Sequence, residues 1–315
     1  MRLLVALQIL LPVALLLWLM LRPPRSWTLL GIHVAAILAI LAALQLAGVW
    51  TVAPWWTPAL FLVLLLAASG SQLAGQRPNR SLPRGWEWPR ALLLLVPLAI
   101  GAWLTISAIE GRRAPPQAAV DLAWPLPPGD YLVINGGTNE TVSSHAETLD
   151  LSVPRRRLFW GQSLGVDLVA LNTAGRTTAG GWPADPQRYA IYGRTVFAPC
   201  SGRVIMATDG IPDQQVPELG ADARTGNGVL LRCRAADVLL AHFAPGSLQV
   251  RAGQSVRTGQ PLGAVGNSGA SNEPHLHIHA QRPGTPAHPL SGEPLPMRLE
   301  GRWLVRNERI NIGDQ

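Results

Sequence analysis

The sequence predicts a chain in two parts: an α-helical membrane region of four transmembrane helices, then an all-β domain of antiparallel sheets. Three observations carry this. Apolar residues make up 48% of the 315 residues and charged residues only 14%, an imbalance unusual for a soluble protein of this length. The apolar residues crowd into the first third of the chain. Beyond it, the pattern changes to short β-type runs broken by Gly, Pro, Asn and Asp.

The helical part rests on four apolar runs, Leu3 to Leu21, Trp27 to Val49, Trp55 to Ala74 and Ala91 to Ile109. Each is near the roughly 20 residues a helix needs to cross the hydrocarbon core. The first run is not read as a cleaved signal, because Arg22, Pro23, Pro24 and Arg25 make a poor cleavage site and another span follows at once. Trp50, Trp55, Trp56, Trp86 and Trp88 lie near span ends, where indole rings favour the membrane interface. Arg22 and Arg25 mark the first loop and Arg77, Arg80, Arg84 and Arg90 the third, while the second, around Thr51 to Pro54, is uncharged. The positive-inside rule puts the first and third loops in the cytoplasm, against the weaker opposing weight of Arg2, Arg112 and Arg113. The expected location is therefore a multi-pass bacterial cytoplasmic membrane protein, in contact with the lipid bilayer, with everything after Glu110 outside. His33 and Gln45 are polar residues in the second span. With no acidic partner in that span, His33 reads as a helix-packing or interfacial residue rather than a proton carrier.

The expected organisation is a transmembrane region over 1–110, a Pro-rich linker over 111–129, a β domain over 130–290 and a C-terminal extension over 291–315. The linker "EGRRAPPQAAVDLAWPLPPGD" lacks helical periodicity. After it come "YLVING", "LGVDLVAL", "RTVFAP", "GRVIMAT", "GVLLRC" and "DVLLAHF", strands whose spacing and turn signals suggest a sandwich or barrel. The net charge is +7, and all the basic residues are arginine. They are scattered, with no basic, aromatic-interleaved motif, which argues against nucleic acid. A basic surface facing an anionic polymer or lipid headgroups fits better. Cys200 and Cys233 form no CxxC, which argues against a cysteine zinc site. They are read equally as two buried thiols or, outside the cytoplasm, as a disulfide.

The chemistry concentrates in "SNEPHLHIHA", residues 271–280. As a strand, it puts His275, His277 and His279 on one face and turns Leu276 and Ile278 to the core. Zinc favours histidine nitrogen and carboxylate oxygen, and a catalytic site keeps a position open for water. Such a site takes about three ligands, drawn from different parts of the chain. The domain also offers His145, His242 and His288. Asp167 lies within the apolar run "LGVDLVAL", where a carboxylate needs a partner to offset its burial. Asp150 in "ETLDLSV" is its rival.

Over about residues 130–285 the chain resembles the LytM/lysostaphin-type zinc metallopeptidases, which cut peptidoglycan cross-bridges. The pieces arrive in the family's order: a histidine, a "GVD" strand aspartate, "VFAPCSGRV", "LLAHF", "VRAGQSVRTGQPLGAVGNSG" and "PHLHIH". The resemblance implies the fold of that family and a zinc cofactor. It implies His145, Asp167 and His277 as zinc ligands and His242 and His275 as catalytic histidines, without saying which is the base. His279 falls where the family has a non-ligand residue. The chain departs from the pattern in one respect. The family spaces its first histidine and aspartate closely, but here Leu149 stands at that distance from His145. The reading is an insertion, "AETLDLSVPRRRLFWGQS", looped out between His145 and Asp167. A second insertion, "NTAGRTTAGGWPADPQRYAIYG", precedes "RTVFAP". Both are expected to rim the groove.

The implied function is a membrane-anchored metalloendopeptidase acting on peptidoglycan or another extracytoplasmic peptide. A membrane partner protein is a further expectation, because four spans exceed what an anchor requires. The alternatives are a catalytically silent wall-binding or hydrolase-activating domain, and a peptidase with a protein substrate. In the implied mechanism, zinc brings bound water towards a pKa of about 7 and polarises the scissile carbonyl. His275 moves the proton and His242 supports the oxyanion. Glu273 is expected as an exposed rim residue, and His288 as a surface or hydrogen-bonded histidine without a role in the site.

Overall fold

A computed structural model describes residues 2–75, 78–218, 224–234 and 236–313. Arg77, one of the loop arginines above, lies outside the described residues. The chain divides into two compact units, Met1–Glu110 and Gly111–Gln315.

The first unit contains α1 (Arg2–Leu21), α2 (Trp27–Ala47), α3 (Thr57–Gly75) and α4 (Glu87–Gly111). Among the described residues three helices, α2, α3 and α4, are long and apolar enough to cross a membrane. The helix α1 is itself 20 residues long, and Ala6–Leu21 is an apolar stretch within it. Ser26 caps α2, its hydroxyl accepting from the Leu29 N–H at 3.3 Å and so satisfying an orphan donor of the first turn. Large apolar side chains of α3 and α4, among them Val63, Leu66, Leu92 and Trp103, point outward, as membrane-facing surfaces do. At Gly101 an added Cβ would come within 2.7 Å of the α2 backbone at Ala39 and Ile40. A small residue here lets the two helices approach closely.

His33 packs between helices, as the sequence reading favoured. It is fully buried; Arg90 donates to its Nδ1 across 2.9 Å, which leaves Nε2–H to donate to the Leu15 carbonyl at 3.0 Å. Arg90 was grouped above with the third loop; the structure places it inside α4, its guanidinium 5.1 Å from the Trp18 ring. The first and third loops are knitted together. The Trp27 N–H donates to the Arg80 carbonyl and Asn79 N–H to Arg25, while the buried Glu87 carboxylate takes Arg80 at 2.5 Å and the Arg25 N–H at 2.8 Å. On α1, the Gln8 amide pairs with the Val49 backbone, in the segment after α2.

The second unit contains strands β1 (Val120–Leu122), β2 (Gly129–Asn135), β3 (Val166–Leu171), β4 (Thr195–Phe197), β5 (Gly202–Thr208), β6 (Asn227–Arg232) and β7 (Asp237–Phe243). They are followed by β8 (Ser255–Val256), β9 (Pro261–Ala264), β10 (Leu276–Gln281), β11 (Pro294–Leu295), β12 (Met297–Leu299) and β13 (Arg309–Ile312). The main sheet runs β13-β2-β3-β10-β7-β6-β5-β8, with β11 also on β10. Its pairings are all antiparallel. Two small sheets pair β4 with β9 and, in parallel, β1 with β12. The segment expected as a linker thus holds β1, and the expected C-terminal extension supplies β11, β12 and β13. These strands are only two to four residues long, too short for an alternation to register in sequence.

One face of the sheet makes the core. Leu276, Ile278 and Ala280 of β10 pack there with Val166, Leu168, Val229, Val238 and Leu240. The other face carries the polar residues of β10 and Asp167. It is also covered, since β3, β7 and β10 are buried along their whole length. Part of the cover is the 3₁₀ turn Trp160–Leu164, which packs against β10 and β11. The first insertion therefore does more than rim a groove: its end lies over the sheet.

Cys200 and Cys233 form a disulfide across 33 residues of sequence. Closing a loop of that size removes denatured-state entropy worth about 3–4 kcal/mol. A reductant, or Cys200→Ala with Cys233→Ala, is expected to lower the thermal unfolding midpoint of the β unit. An unchanged midpoint would contradict a stabilising bond.

Candidate metal centre

The site is built where three strands meet. In the ladders His277 of β10 stands opposite Asp167 of β3, and Asn135 of β2 stands opposite Asp167 on its other side. Directly opposed residues share a face, so all three side chains project to the same side. His145 arrives from the 3₁₀ helix Ser144–Leu149. Its Nε2 lies 2.9 Å from Asp167 Oδ2, and His277 Nδ1 lies 2.8 Å from Asp167 Oδ1. One ligand atom from each of His145, Asp167 and His277 falls within 4.8 Å of the others. Two imidazole nitrogens and a carboxylate oxygen form a donor set that suits zinc and leaves a coordination position open. Gly165 makes room for this: a Cβ there would sit 2.8 Å from His277 Cε1.

Electrostatics agree with that donor set. Burial pushes the Asp167 carboxyl up, but its electrostatic interaction with His145 and His275, and then its contacts with the His145 and His277 nitrogens, outweigh it and hold the group well below its usual range. Burial pushes His277 down to about 4, with the nearby Asp167 opposing it. A carboxylate and a neutral imidazole are the forms that bind a cation.

His275 and His242 stand beside this cluster with ring centroids 4.6 Å apart. His275 Nδ1–H donates to the Glu273 carbonyl at 2.8 Å, so in the neutral ring the lone pair sits on Nε2, 3.6 Å from Asp167 Oδ1. His242 Nδ1–H donates to the Ser268 carbonyl at 2.7 Å, and its Nε2 is likewise bare. Burial, then His275 and His277, hold His242 well below the usual imidazole range. His242 has a backbone φ of 68°, uncommon for a non-glycine residue. It occupies a bulge, since Phe243 pairs with Asn227 but Ala241 with Gly228. Bulges re-aim side chains next to active sites, and this one turns His242 to the histidine face.

Other residues fall elsewhere. Asp150 is exposed and held by Ser152 and by Arg156 at 2.8 Å. His288 is exposed. Glu273, expected on the rim, is only 4% exposed, and it adds to burial in raising the Tyr189 phenol. The loop "GASNEP" folds inward because the Glu273 carbonyl is needed by both Ser271 and His275. Sequence reasoning missed Asn135 and Arg306. Asn135 donates to Asp167 Oδ2 at 2.8 Å while its oxygen accepts from the Ser144 N–H at 3.1 Å and from Arg306. It thereby ties the carboxylate to the start of the helix that carries His145. Burial lowers Arg306 to about 10, partly opposed by Asp167. The only signal for Asn135 was a polar residue closing the apolar run "YLVIN".

Residues 188–289 match the family described as Peptidase family M23. That span includes His242, His275 and His277; His145 and Asp167 precede it. Among curated proteins, none matches the chain. Solved structures similar to it include the catalytic domain of the antimicrobial peptidase lysostaphin from Staphylococcus simulans (23% identity, 37% of this chain and 65% of that one, TM-score 0.25). A zinc-containing peptidase from Vibrio cholerae is similar at 18% identity over 37% of this chain and 46% of that one, TM-score 0.24. Helicobacter pylori Csd3 is similar at 18% identity over 55% and 35%, TM-score 0.28. Each overlap spans less than two thirds of the relative's length. Over residues 188–289 the chain carries a Peptidase family M23 domain.

Proposed function

We propose that the chain is a membrane-anchored zinc metalloendopeptidase that hydrolyses peptidoglycan cross-links outside the cytoplasmic membrane. The observation that carries this is the convergence of His145, Asp167 and His277 on one covered sheet face, with His242 and His275 alongside. The anchor is four spans, with α1 counted as the first. The disulfide supports an oxidising compartment. The joined first and third loops support a common side for the arginines, which the positive-inside rule assigns to the cytoplasm.

Zinc bound by His145, Asp167 and His277 would activate a water and polarise the scissile carbonyl. The chain's own histidines handle the protons. Because carbonyls hold both Nδ1–H groups, His242 and His275 each turn a bare Nε2 to the site. One of the two takes the water proton. The ring that takes it becomes an Nε2–H donor, able to support the oxyanion or to return the proton to the leaving amine.

The test is zinc analysis of the purified full chain together with digestion of cross-linked peptidoglycan. Wild type is expected to hold one zinc and release peptides, and His277→Ala to lose both. Metal retained in that variant would overturn the ligand assignment. Zinc binding without digestion would overturn the substrate. For orientation, an alkaline phosphatase fusion after Ile109 is expected to be active, and an inactive fusion would contradict an outside domain.

A further inference from the structure

We infer that His279 and Gln281 form a hydrogen-bond relay that sets the tautomer of His277, leaving its Nδ1 lone pair free for the metal. The inference rests on the zinc reading above and adds positioning residues to it. Every second residue of β10 faces the same way, so His277, His279 and Gln281 stand in a row. His277 Nε2 lies 2.8 Å from His279 Nδ1, and His279 Nε2 lies 3.2 Å from Gln281 Oε1. All three are buried, so no solvent competes for these bonds.

The direction of the relay follows from its far end. The Gln281 amide nitrogen donates to two backbone carbonyls, Pro289 at 2.7 Å and Arg282 at 3.1 Å. A carbonyl can only accept, so the nitrogen must occupy that place and Oε1 must face His279. His279 then carries its proton on Nε2 and presents a bare Nδ1. His277 must donate to that atom from Nε2, and in the neutral ring, the form that binds a metal, its own Nδ1 is then left without a proton. Nδ1 and Asp167 Oδ1 thus face each other across 2.8 Å as two acceptors, an arrangement that a cation between or beside them relieves. Without the relay, the carboxylate would draw a proton onto Nδ1, the atom the metal needs. Partners of this kind fix ring orientation and tautomer at metal sites.

The fold seats the end of the relay tightly. A Cβ on Gly161, in the turn that covers this face, would lie 1.8 Å from Gln281 Oε1, and one on Gly292 would lie 2.8 Å from Gln281 Nε2. Glycine at both places lets backbone close over the amide and keep it from rotating.

The experiment is chelator competition for zinc on the full chain in detergent, with nitrogen-15 NMR of histidine-labelled, zinc-loaded protein. His279→Phe and Gln281→Leu are expected to weaken zinc binding about 10- to 100-fold. His279→Glu, which restores an acceptor for His277 Nε2–H, is expected to bind within a few-fold of wild type. In the wild-type spectrum, His279 should be protonated on Nε2 and bare at Nδ1. Wild-type affinity in both His279→Phe and Gln281→Leu, or a proton found on His279 Nδ1, would overturn the relay while leaving the zinc reading intact. A wild type that binds no zinc would instead overturn that reading itself.

Discussion

Asp167→Ala is expected to abolish zinc binding and hydrolysis together, while Asp150→Ala leaves both near wild type. Asp167 lies within hydrogen-bond distance of His145 and His277, and its charge is the only carboxylate in the cluster of candidate ligands found among the described residues. Losing it removes a ligand and leaves the buried His277 and the half-buried His145 without their shared partner. The loss of zinc affinity should exceed the roughly 10- to 100-fold typical of an outer-shell partner. Asp150 is exposed, and its bonds run to Ser152 and Arg156, so its loss should cost little beyond a surface ion pair. Chelator competition on the two variants gives the answer. Zinc kept in Asp167→Ala and lost in Asp150→Ala would reverse the assignment.

The second large effect concerns catalysis without metal loss. His275→Ala and His242→Asn are each expected to lower kcat by about 10²- to 10⁴-fold with zinc content unchanged. Asparagine is chosen at 242 because it tolerates the left-handed backbone found there better than most residues. The two rings share one proton-handling task, so the double variant should fall little further than the worse single one, as groups acting as a unit do. Fully multiplicative losses would indicate that they act independently. Zinc loss in either variant would make that histidine a ligand instead.

Legibility in the sequence differed sharply between parts of the site. The alternation in "HLHIHA" placed three histidines on one face and two apolar residues in the core, and β10 has that arrangement. A carboxylate inside "LGVDLVAL" could be singled out because such a residue must find partners. The pairing of Asp167 with His145 depends on an insertion whose turns fold back over the sheet, and local pattern says nothing of that. The aim of His242 comes from a bulge, which extra residue 242 creates only once β6 is its partner. Asn135 and Arg306 meet from opposite ends of the unit, 171 residues apart. Their contact exists only because β13 adds itself beside β2. Gln281 was within reach, since it continues the parity of the histidines by one more step. In the helical unit, apolar run length marked the helices. The pairing of His33 with Arg90 joins α2 to α4 and could not be seen within either helix alone.

The proposed hydrolysis depends on one zinc held by His145, Asp167 and His277. The most direct test is a crystal or electron-diffraction structure of the zinc-loaded chain, with anomalous scattering measured across the zinc edge. A single strong peak is expected within bonding distance of His145 Nε2, an Asp167 carboxylate oxygen and His277 Nδ1. A peak bound through His277 Nε2, a peak at Asp150, or no peak in protein that retains zinc by chemical analysis would contradict it.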